Sequence, residues 1–472
     1  MLALRDRSRS PLRSAVVEST AVVILAAGRG TRMRSELAKV LHPVCGVPMV
    51  EWTIRTAREV GADRIIVVQG PGRELDGVLP DGVETAIQEN ADGTAGALEA
   101  AVGNLEGMES VVVLAGDVPL VDSATVAALL EAQASAGAAA TIATMVVDDP
   151  SGYGRVVRSP DGTFERVVET KNPGDASPEQ MLIDEVNTGL VAFRCAGLGE
   201  LLAGVGAANA QGERYLPDAL SALAASGELV EVLTVSDSAL TLGVNDRADL
   251  AKVAGIAQAR INEAHMRSGV SIIAPQTVVI DADVEIAPDA CILSGSVLRG
   301  ATRVGPGAVI GPNSVLDDAI VDAGAEVSMS RLVSCRVGEG ATVGPFAYLR
   351  PGADLGPSAK AGTFVEIKNS SIGEGAKVPH LSYVGDADVG ARANLGASTI
   401  TANYDGRSKH RTTVGEGART GVHTSLVAPV EIGDGSVTGA GSTITDDVPD
   451  RSLGIARQRQ TNIDGYADRS DG

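Results

Sequence analysis

Arg350 and Lys368 stand 18 residues apart, and His380 follows twelve residues later. Paired cations can hold an anion such as a sugar phosphate. A neutral imidazole near pH 7 is well suited to take a proton from an amine. A second constellation lies near the amino end. Leu25-Ala26-Ala27-Gly28-Arg29-Gly30-Thr31-Arg32-Met33 follows an apolar run, with Lys39 close behind. Glycines let such a turn present backbone N–H groups to a phosphate, and Arg32 and Lys39 add positive charge. Gly116-Asp117-Val118-Pro119-Leu120 closes another apolar run. An Asp at the carboxyl end of a strand is a natural Mg²⁺ ligand. Together these elements describe a nucleoside triphosphate site. Taken singly, Gly-x-Gly is an ordinary strand-to-helix turn, and Asp117 could equally cap the next helix. Met33 stands where a dinucleotide fingerprint needs its third glycine, so that motif is absent.

The elements that must position the first group are legible as a six-residue count. Ile280, Ile286, Ile292, Leu298, Val304, Ile310 and Leu316 fall six apart. Small residues follow four positions later at Ala290, Ser296, Thr302, Ala308 and Ser314. The count resumes at Val337, Val343, Leu349, Leu355, Ala361 and Ile367, then Ile372, Val378 and Val384, then Val389 and Leu395. Neither a helix nor a single strand has this period. It specifies a parallel β-helix in which each hexad is one side of a three-sided coil. Aliphatic and small positions then point inward. Arg350 and Lys368 come one position after an inward residue, His380 two, and Tyr383 and Asn394 five, so all five are predicted to point outward. One full coil separates Arg350 from Lys368, which stacks them about 4.8 Å apart. Either an anion lies between them or they splay apart as solvated surface cations. Glu366 is near enough in register to orient His380. The segment Asn403-Tyr404-Asp405-Gly406 interrupts the hexads, with His380 placed between it and the two cations.

Residues 20–245 alternate β-branched runs with Ala- and Leu-rich stretches. Strands are predicted at Val22–Ala26, Arg64–Val68, Val83–Ile87, Ser110–Leu114 and Thr141–Val147, and helices at Val50–Val60 and Ser123–Ala134. Such alternation predicts an α/β unit with a parallel, Rossmann-like sheet, and ligands bound beyond the carboxyl ends of its strands. A linking helix is expected over 246–269, capped by Asn245 or Asp246 and ended at Gly269. The predicted organisation is therefore a disordered extension (1–19), a nucleotide-binding unit (20–245), the linking helix (246–269), the β-helix (270–457) and a flexible tail (458–472).

Composition narrows the partners. The formal net charge is −21 and the sequence pI about 4.7, which argues against nucleic acid and anionic membrane surfaces. Aromatic residues make up only 2%, which suits a narrow coil filled by Val, Ile and Ala. Cys45, Cys195, Cys291 and Cys335 have no metal-ligand spacing and are expected to be buried, reduced thiols of a cytoplasmic protein. No apolar stretch approaches 18 residues, so no membrane span is expected.

The motifs Gly28–Met33, Lys39-Val40-Leu41-His42, Gly116–Leu120, Gly152-Tyr153-Gly154-Arg155, Glu169, Asn187-Thr188-Gly189 and Gly243-Val244-Asn245 occur in this order. The chain resembles the sugar-1-phosphate nucleotidylyltransferases. Within them it is similar to the bifunctional bacterial N-acetylglucosamine-1-phosphate uridylyltransferase/glucosamine-1-phosphate N-acetyltransferase family, over about residues 20–457. The resemblance implies a left-handed hexapeptide β-helix, assembly as a homotrimer, UTP and acetyl-CoA as substrates, and Mg²⁺. Leu25, Ala26, Gly28, Arg32 and Lys39 match UTP-handling positions. Gln88, Gly93 and Thr94 match the segment that reads uracil. Asp117 and Asn245 match metal ligands. Gly154, Glu169 and Asn187 match contacts to the N-acetyl sugar. In the β-helix, Arg350, Lys368, Tyr383, Asn394 and Lys409 match glucosamine 1-phosphate contacts, and His380 matches the general base. Ala397, Asn403, Tyr404, Ala440 and Arg457 match acetyl-CoA contacts. The chain departs from the family pattern in places. It has Gly93-Thr94-Ala95-Gly96-Ala97 where Gly-Thr-Gly-His-Ala is usual, and Ala38 where a proline precedes the lysine. It also has Arg214-Tyr215 for an aromatic pair, and Val422 for a serine. Two rival readings are a single-activity nucleotidylyltransferase whose β-helix serves only assembly, and a silent scaffold with a degenerate pocket.

Overall fold

A computed structural model describes residues 19–28, 30–170, 176–207 and 212–467. Residues 1–18 of the predicted extension and 468–472 of the predicted tail lie outside the described residues. The chain divides into two compact units, Met1–Ala257 and Gln258–Gly472.

All five strands expected in the first unit form, with ends within two residues of expectation. They are β1 (Thr20–Leu25), β2 (Arg64–Gln69), β3 (Glu84–Ile87), β4 (Ser110–Ala115) and β5 (Ala140–Val146). A hairpin follows, β6 (Arg155–Arg158) with β7 (Phe164–Val168), then β8 (Glu185–Arg194) and β9 (Val230–Thr234). The main sheet has the order β9-β5-β8-β4-β1-β2-β3. Its central strands are buried on both sides. Val22, Ile24, Val67 and Val112 enter one core, while Val23, Ile66, Val68 and Val113 enter another. This two-residue alternation is the geometry of an extended chain. Helices α1 (Met49–Glu59), α2 (Thr94–Ala100), α3 (Ser123–Ala136) and α4 (Leu216–Ala225) belong to the same unit. Asp122 caps α3 by accepting from the Thr125 N–H at 2.7 Å.

The expectation of a wholly parallel sheet needs correction, because β8 runs antiparallel to both β4 and β5. A parallel return needs a crossover that carries the chain back across the sheet, usually a helix. Between β5 and β8 the chain instead makes the β6–β7 hairpin and a one-turn helix, Pro178–Met181. It therefore re-enters at the edge where β5 left. The amino end of β8 consequently joins the carboxyl ends of β1, β3 and β4.

Helix α5 (Arg247–Arg267) begins where Asp246 Oδ1 accepts from the N–H groups of Ala248 (2.8 Å) and Asp249 (3.0 Å). Val253 and Ala257 pack in the first unit beside Met33 and Met49. Further along, Asn262 Nδ2 donates to the carbonyls of Pro275 (2.9 Å) and Val278 (3.2 Å), and Gln258 Nε2 to that of Ile280 (3.0 Å). The helix is thus divided between the units.

The second unit is a three-sided parallel β-helix with sheets of seven, ten and nine short strands. Every aliphatic position of the six-residue count is buried, as are Ala290, Ser296, Thr302, Ala308 and Ser314 beside them. Filling each such position with Ile, Leu or Val contributes roughly 1.5–3 kcal/mol. The gap in the count between Leu316 and Val337 is bridged by Val321, Val327 and Leu332, all inward. Most of those steps are five residues long, so the corner shortens while the inward register is kept. Toward the carboxyl end the interior turns polar. Thr401 Oγ1 donates to the Gly385 carbonyl at 2.9 Å, and the hydroxyl pairs Thr399–Thr420 (2.7 Å) and Thr424–Thr438 (3.1 Å) satisfy one another. These hydroxyls are tolerated because each has a partner, whereas Thr412 Oγ1 and Ser436 Oγ are buried without one among the described residues.

Candidate active sites

The carboxyl edge of the first sheet gathers the amino-terminal candidates. Leu25 ends β1, Ala26 and Gly28 follow it, and Arg32 sits on a single 3₁₀ turn, Thr31–Met33. Lys39 occupies a second such turn, Lys39–Leu41. Asp117 follows β4. The Val244 N–H donates to the Asp117 carbonyl at 2.9 Å, which places Asn245 beside Asp117. Two cation–oxygen contacts close the group. Lys39 is ion-paired with Asp117, and Arg32 Nη2 donates to Asn245 Oδ1 at 2.9 Å. Lys39 is largely buried, with 13% of its side chain exposed. A pair this withdrawn from water is held by attraction rather than screened away.

The donor set fits magnesium. Asp117 and Asn245 offer two hard oxygen ligands side by side, and Mg²⁺ typically takes one or two protein carboxylates or amides with water and substrate phosphates completing six. In the structure, the two cations already stand against these oxygens, which marks the spot as electrostatically suited to positive charge. Among the described residues no cluster of three or more His, Cys, Asp or Glu side chains forms another metal site.

Beside this group, Gln88 follows β3, and Gly93 and Thr94 open α2. Thr94 Oγ1 accepts from the Leu216 N–H at 3.0 Å, which ties α2 to the start of α4. The three sugar candidates also converge. The Asn187 N–H donates to the Gly154 carbonyl at 2.9 Å, and Glu169 lies against Gly154. Asn187 stands at a bulge of β8 and on the carboxyl edge because that strand is antiparallel. The Tyr215 phenol, near Glu213, Glu169 and Asp218, is pushed up to about 12 by burial and by those carboxylates, so it stays protonated.

In the β-helix, the structure corrects three expectations. Arg350 and Lys368 are neighbours on the second face, as the ladder Leu349↔Ile367 requires. They are not an unneutralised pair, however. Arg350 Nη1 donates to Glu366 at 2.9 Å, and Lys368 Nζ contacts both oxygens of Asp386 at 3.0 Å. Glu366, engaged with Arg350, does not orient His380. Nor does His380 lie between the cations and the loop at 403–406. It ends the first-face strand Lys377–His380, at the edge between first and second faces. Lys368 lies opposite Gly385, at the far edge of the second face. The separation is a face width, on the order of 10 Å.

Around Lys368 a denser cluster forms than the register predicts. The loop that interrupts the hexads is an ordered hairpin. Tyr404 pairs with Lys409, the Asn403 carbonyl accepts from the His410 N–H at 2.8 Å, and Asp405 bonds His410 at 2.8 Å. Asp405 also accepts from the N–H groups of Ser408 and Arg407, and these bonds hold its carboxyl far below the ordinary range. The hairpin delivers Lys409 next to Lys368. Lys409 is shifted down from the usual lysine value, chiefly by Lys368, with Arg350 adding to the effect. Three cations thus face two carboxylates, and the surplus positive charge is what an anionic ligand would relieve.

Asp386, at this edge, was not singled out by the sequence. Burial works against its ionisation, but hydrogen bonds from Asn369, Lys368 and Asn403 outweigh it and lower its pKa. Its spacing of 18 from Lys368 is the signal that could have found it. Tyr383 reaches the same edge because Gly385 lacks a side chain. A Cβ at 385 would stand 2.3 Å from the Tyr383 hydroxyl.

His380 has different neighbours. Along its edge the Ser398 N–H donates to the His380 carbonyl at 3.1 Å, the His423 N–H to that of Ala397 at 2.8 Å, and the Gly441 N–H to that of Val422 at 2.8 Å. His380, Ala397, Val422 and Ala440 therefore stack in successive coils, with Arg457 beside Gly441. Asn394 lies on the first face, bridged to Lys377 and Arg419. One chain therefore presents two groups on two edges. One is His380 with Ala397, Ala440, Asn394 and Arg457. The other is Arg350, Lys368, Tyr383, Lys409, Asn403 and Tyr404. The expected outward placement of Arg350, Lys368, His380, Tyr383 and Asn394 agrees with their partial or full exposure.

Of the four cysteines, all free, only Cys335 is buried. Burial pushes its thiol up to about 12 and that of Cys195 to about 11, which leaves neither reactive as a thiolate. Among the described residues no helix is long and apolar enough to cross a membrane.

The chain is similar to known proteins over nearly its whole length. The model of the MobA-like NTP transferase domain matches residues 22–171. A protein of an Exiguobacterium species named bifunctional protein GlmU is 46% identical over 449 residues, covering 95% of this chain and 99% of the relative. The bifunctional protein GlmU of Kineococcus radiotolerans is 48% identical, covering 94% of this chain and 91% of the relative. That of Corynebacterium glutamicum is 44% identical, covering 96% and 94%.

Proposed function

The chain belongs to the family of bifunctional GlmU proteins, and from that premise we propose how its residues divide the work. It is a bifunctional enzyme of UDP-N-acetylglucosamine biosynthesis. It acetylates glucosamine 1-phosphate with acetyl-CoA and transfers UMP from UTP to the resulting N-acetylglucosamine 1-phosphate, releasing pyrophosphate.

In the uridylyl transfer, the phosphate oxygen of the sugar attacks the α-phosphorus of UTP in line with the departing pyrophosphate. No residue needs to form a covalent bond, so the barrier falls through positioning and charge neutralisation. Lys39 and Arg32 exchange their present partners, Asp117 and Asn245, for phosphate oxygens. The backbone after β1 lies against the triphosphate. Gln88, Gly93 and Thr94 hold the base. Gly154, Glu169 and Asn187 hold the acetylated sugar. Asp117 and Asn245 are the residues that would hold Mg²⁺, which would supply neutralisation of the charge on the triphosphate and the leaving pyrophosphate.

In the acetyl transfer, Arg350, Lys368 and Lys409 bind the phosphate of glucosamine 1-phosphate, supported by Tyr383. The surplus cation at this edge is the observation that carries the assignment. His380 takes the proton from the 2-amino group as that amine attacks the thioester carbonyl and passes it to the sulfur, so that coenzyme A departs as thiol. Ala397, Ala440 and Arg457 line the coenzyme path along the His380 edge. Asn403 and Tyr404 complete it from the other edge, and Asn394, of the His380 group, contributes to holding the sugar.

The two groups lie on opposite edges of one face, so we assign each acetyl-transfer site to more than one chain of a homotrimer. Phe346 and Phe364 stack at 5.4 Å on the His380 edge, 53% and 58% exposed, with Leu381 beside them. Such an exposed apolar ridge on that edge suits burial against another copy. Nucleotide and coenzyme A substrates place the protein in the cytoplasm.

The activity is tested by supplying glucosamine 1-phosphate, acetyl-CoA and UTP together and singly. UDP-N-acetylglucosamine is expected only from the full mixture. Formation of a UDP-sugar from glucosamine 1-phosphate and UTP without acetyl-CoA would overturn the order of the steps. The shared site is tested by combining His380→Ala and Lys368→Ala chains, each alone inactive in acetyl transfer. Mixed oligomers are expected to regain a substantial fraction of activity, because some sites then receive both native residues. No recovery would show that one chain supplies both.

A further inference from the structure

Two departures from the family pattern, Gly96 in place of histidine and Arg214 in place of an aromatic residue, meet at one carboxylate, Asp92. Gln88 Nε2 donates to Asp92 Oδ1 at 2.8 Å and to the Gly93 carbonyl at 2.9 Å. Both partners can only accept. The amide nitrogen must therefore face them, and Oε1 is left facing away without a partner among the described residues. The other Asp92 oxygen accepts from Arg214 Nη1 at 3.4 Å. Arg214 is itself clamped. Nη1 donates to Glu99 at 2.6 Å, Nε to the Val205 carbonyl at 3.1 Å, and Nη2 to the Leu202 carbonyl. Its backbone closes the arrangement, with its N–H donating to the Asp92 carbonyl at 2.6 Å and its carbonyl accepting from Ala95 at 2.9 Å.

Space explains why the departures come together. A Cβ at Gly96 would stand 2.0 Å from Asp92 Oδ1, so this carboxylate occupies the place where a side chain at 96 would begin. At Gly93, where φ is +100°, a Cβ would stand 2.4 Å from the Arg214 carbonyl. A histidine at 96 and this Asp92 position exclude each other. Once the carboxylate is there, a fixed cation at 214 holds it in place.

We propose that Asp92 and Arg214 are positioning residues for nucleobase selection, holding Gln88 so that only its amide oxygen is presented to the base. An acceptor in that position suits the N3–H of uracil. Cytosine, whose N3 is itself an acceptor, meets a lone pair instead. The inference rests on the reading of Gln88 as a nucleobase contact.

The experiment compares kcat/KM for UTP and CTP in the intact enzyme, with acetyl transfer measured as a control for folding. Asp92→Asn is nearly isosteric and offers Gln88 an N–H₂ group, which frees its amide to turn over. Arg214→Met removes the clamp while keeping the length of the side chain. Both are expected to lower the UTP/CTP ratio about 10- to 100-fold through KM for UTP, because a mispaired polar group in a recognition site is costly. Gln88→Ala separates the two layers of the inference. If it leaves the ratio unchanged, the reading of Gln88 as a nucleobase contact fails. If it collapses the ratio while Asp92→Asn and Arg214→Met retain it, the positioning role is overturned.

Discussion

Replacing His380 by alanine is expected to lower acetyl transfer about 10²- to 10⁴-fold while uridylyl transfer proceeds at the native rate. The magnitude is that of losing a positioned general base, and it corresponds to roughly 3–5 kcal/mol of barrier. His380 suits the test because it carries no packing duty. It is exposed at the end of its strand, its backbone bonds survive the change, and the ladder Thr363↔His380 needs only main-chain atoms. A loss of activity would therefore not report a loss of fold. The loss should fall on kcat, since Arg350, Lys368 and Lys409 stay in place to bind glucosamine 1-phosphate. Acetyl transfer in His380→Ala within a few-fold of native would remove His380 from the chemistry. Exogenous imidazole offers a second readout, because a diffusible base can partly replace a missing one but cannot repair a collapsed coil.

The opposite separation is expected for Asp117→Asn. Pyrophosphate release from UTP and N-acetylglucosamine 1-phosphate should fall at least about 10²-fold, as when one preorganised charge-stabilising group is removed. Acetyl transfer should persist. Asparagine is preferable to alanine here. Lys39 is largely buried, and deleting its partner outright would leave a withdrawn cation uncompensated at a cost of several kcal/mol. An amide oxygen still accepts from Lys39 but binds a divalent cation far less strongly. Raising the Mg²⁺ concentration should accordingly recover part of the rate in Asp117→Asn. A normal rate at ordinary Mg²⁺ would mean that Asp117 serves only to hold Lys39.

How far the sites were legible depends on what kind of signal each residue left. Asp117 and Lys39 left a local one, because a carboxylate after an apolar strand and a lysine after a glycine-rich turn are placed by the chain that flanks them. Asn187 did not, since its location on the working edge follows from β8 running antiparallel. That direction is set by where the preceding hairpin leaves the chain, not by any residue in β8. In the coil, the inward positions were readable one by one, because burial repeats with the count. Glu366 shows the limit. Its register put it near both Arg350 and His380, and only the side-chain geometry decided that it binds Arg350.

The sequence by itself determined the β-helix and, through it, that Arg350, Lys368, His380, Tyr383 and Asn394 face outward. A coil only a few residues wide leaves each inward position no alternative to a small or aliphatic side chain, so the interior writes itself into the period. What the tertiary structure decided was which outward residues share an edge. The count assigns a residue to inside or outside, but the corners, shortened in places to five residues, set which edge it occupies. In the fold His380 stands a face away from Lys368, and the hairpin that interrupts the count brings Lys409 to Lys368 beside Asp386. Side chains on a surface answer to charge and hydrogen bonding with whatever the fold brings near, and a one-dimensional period holds no record of that.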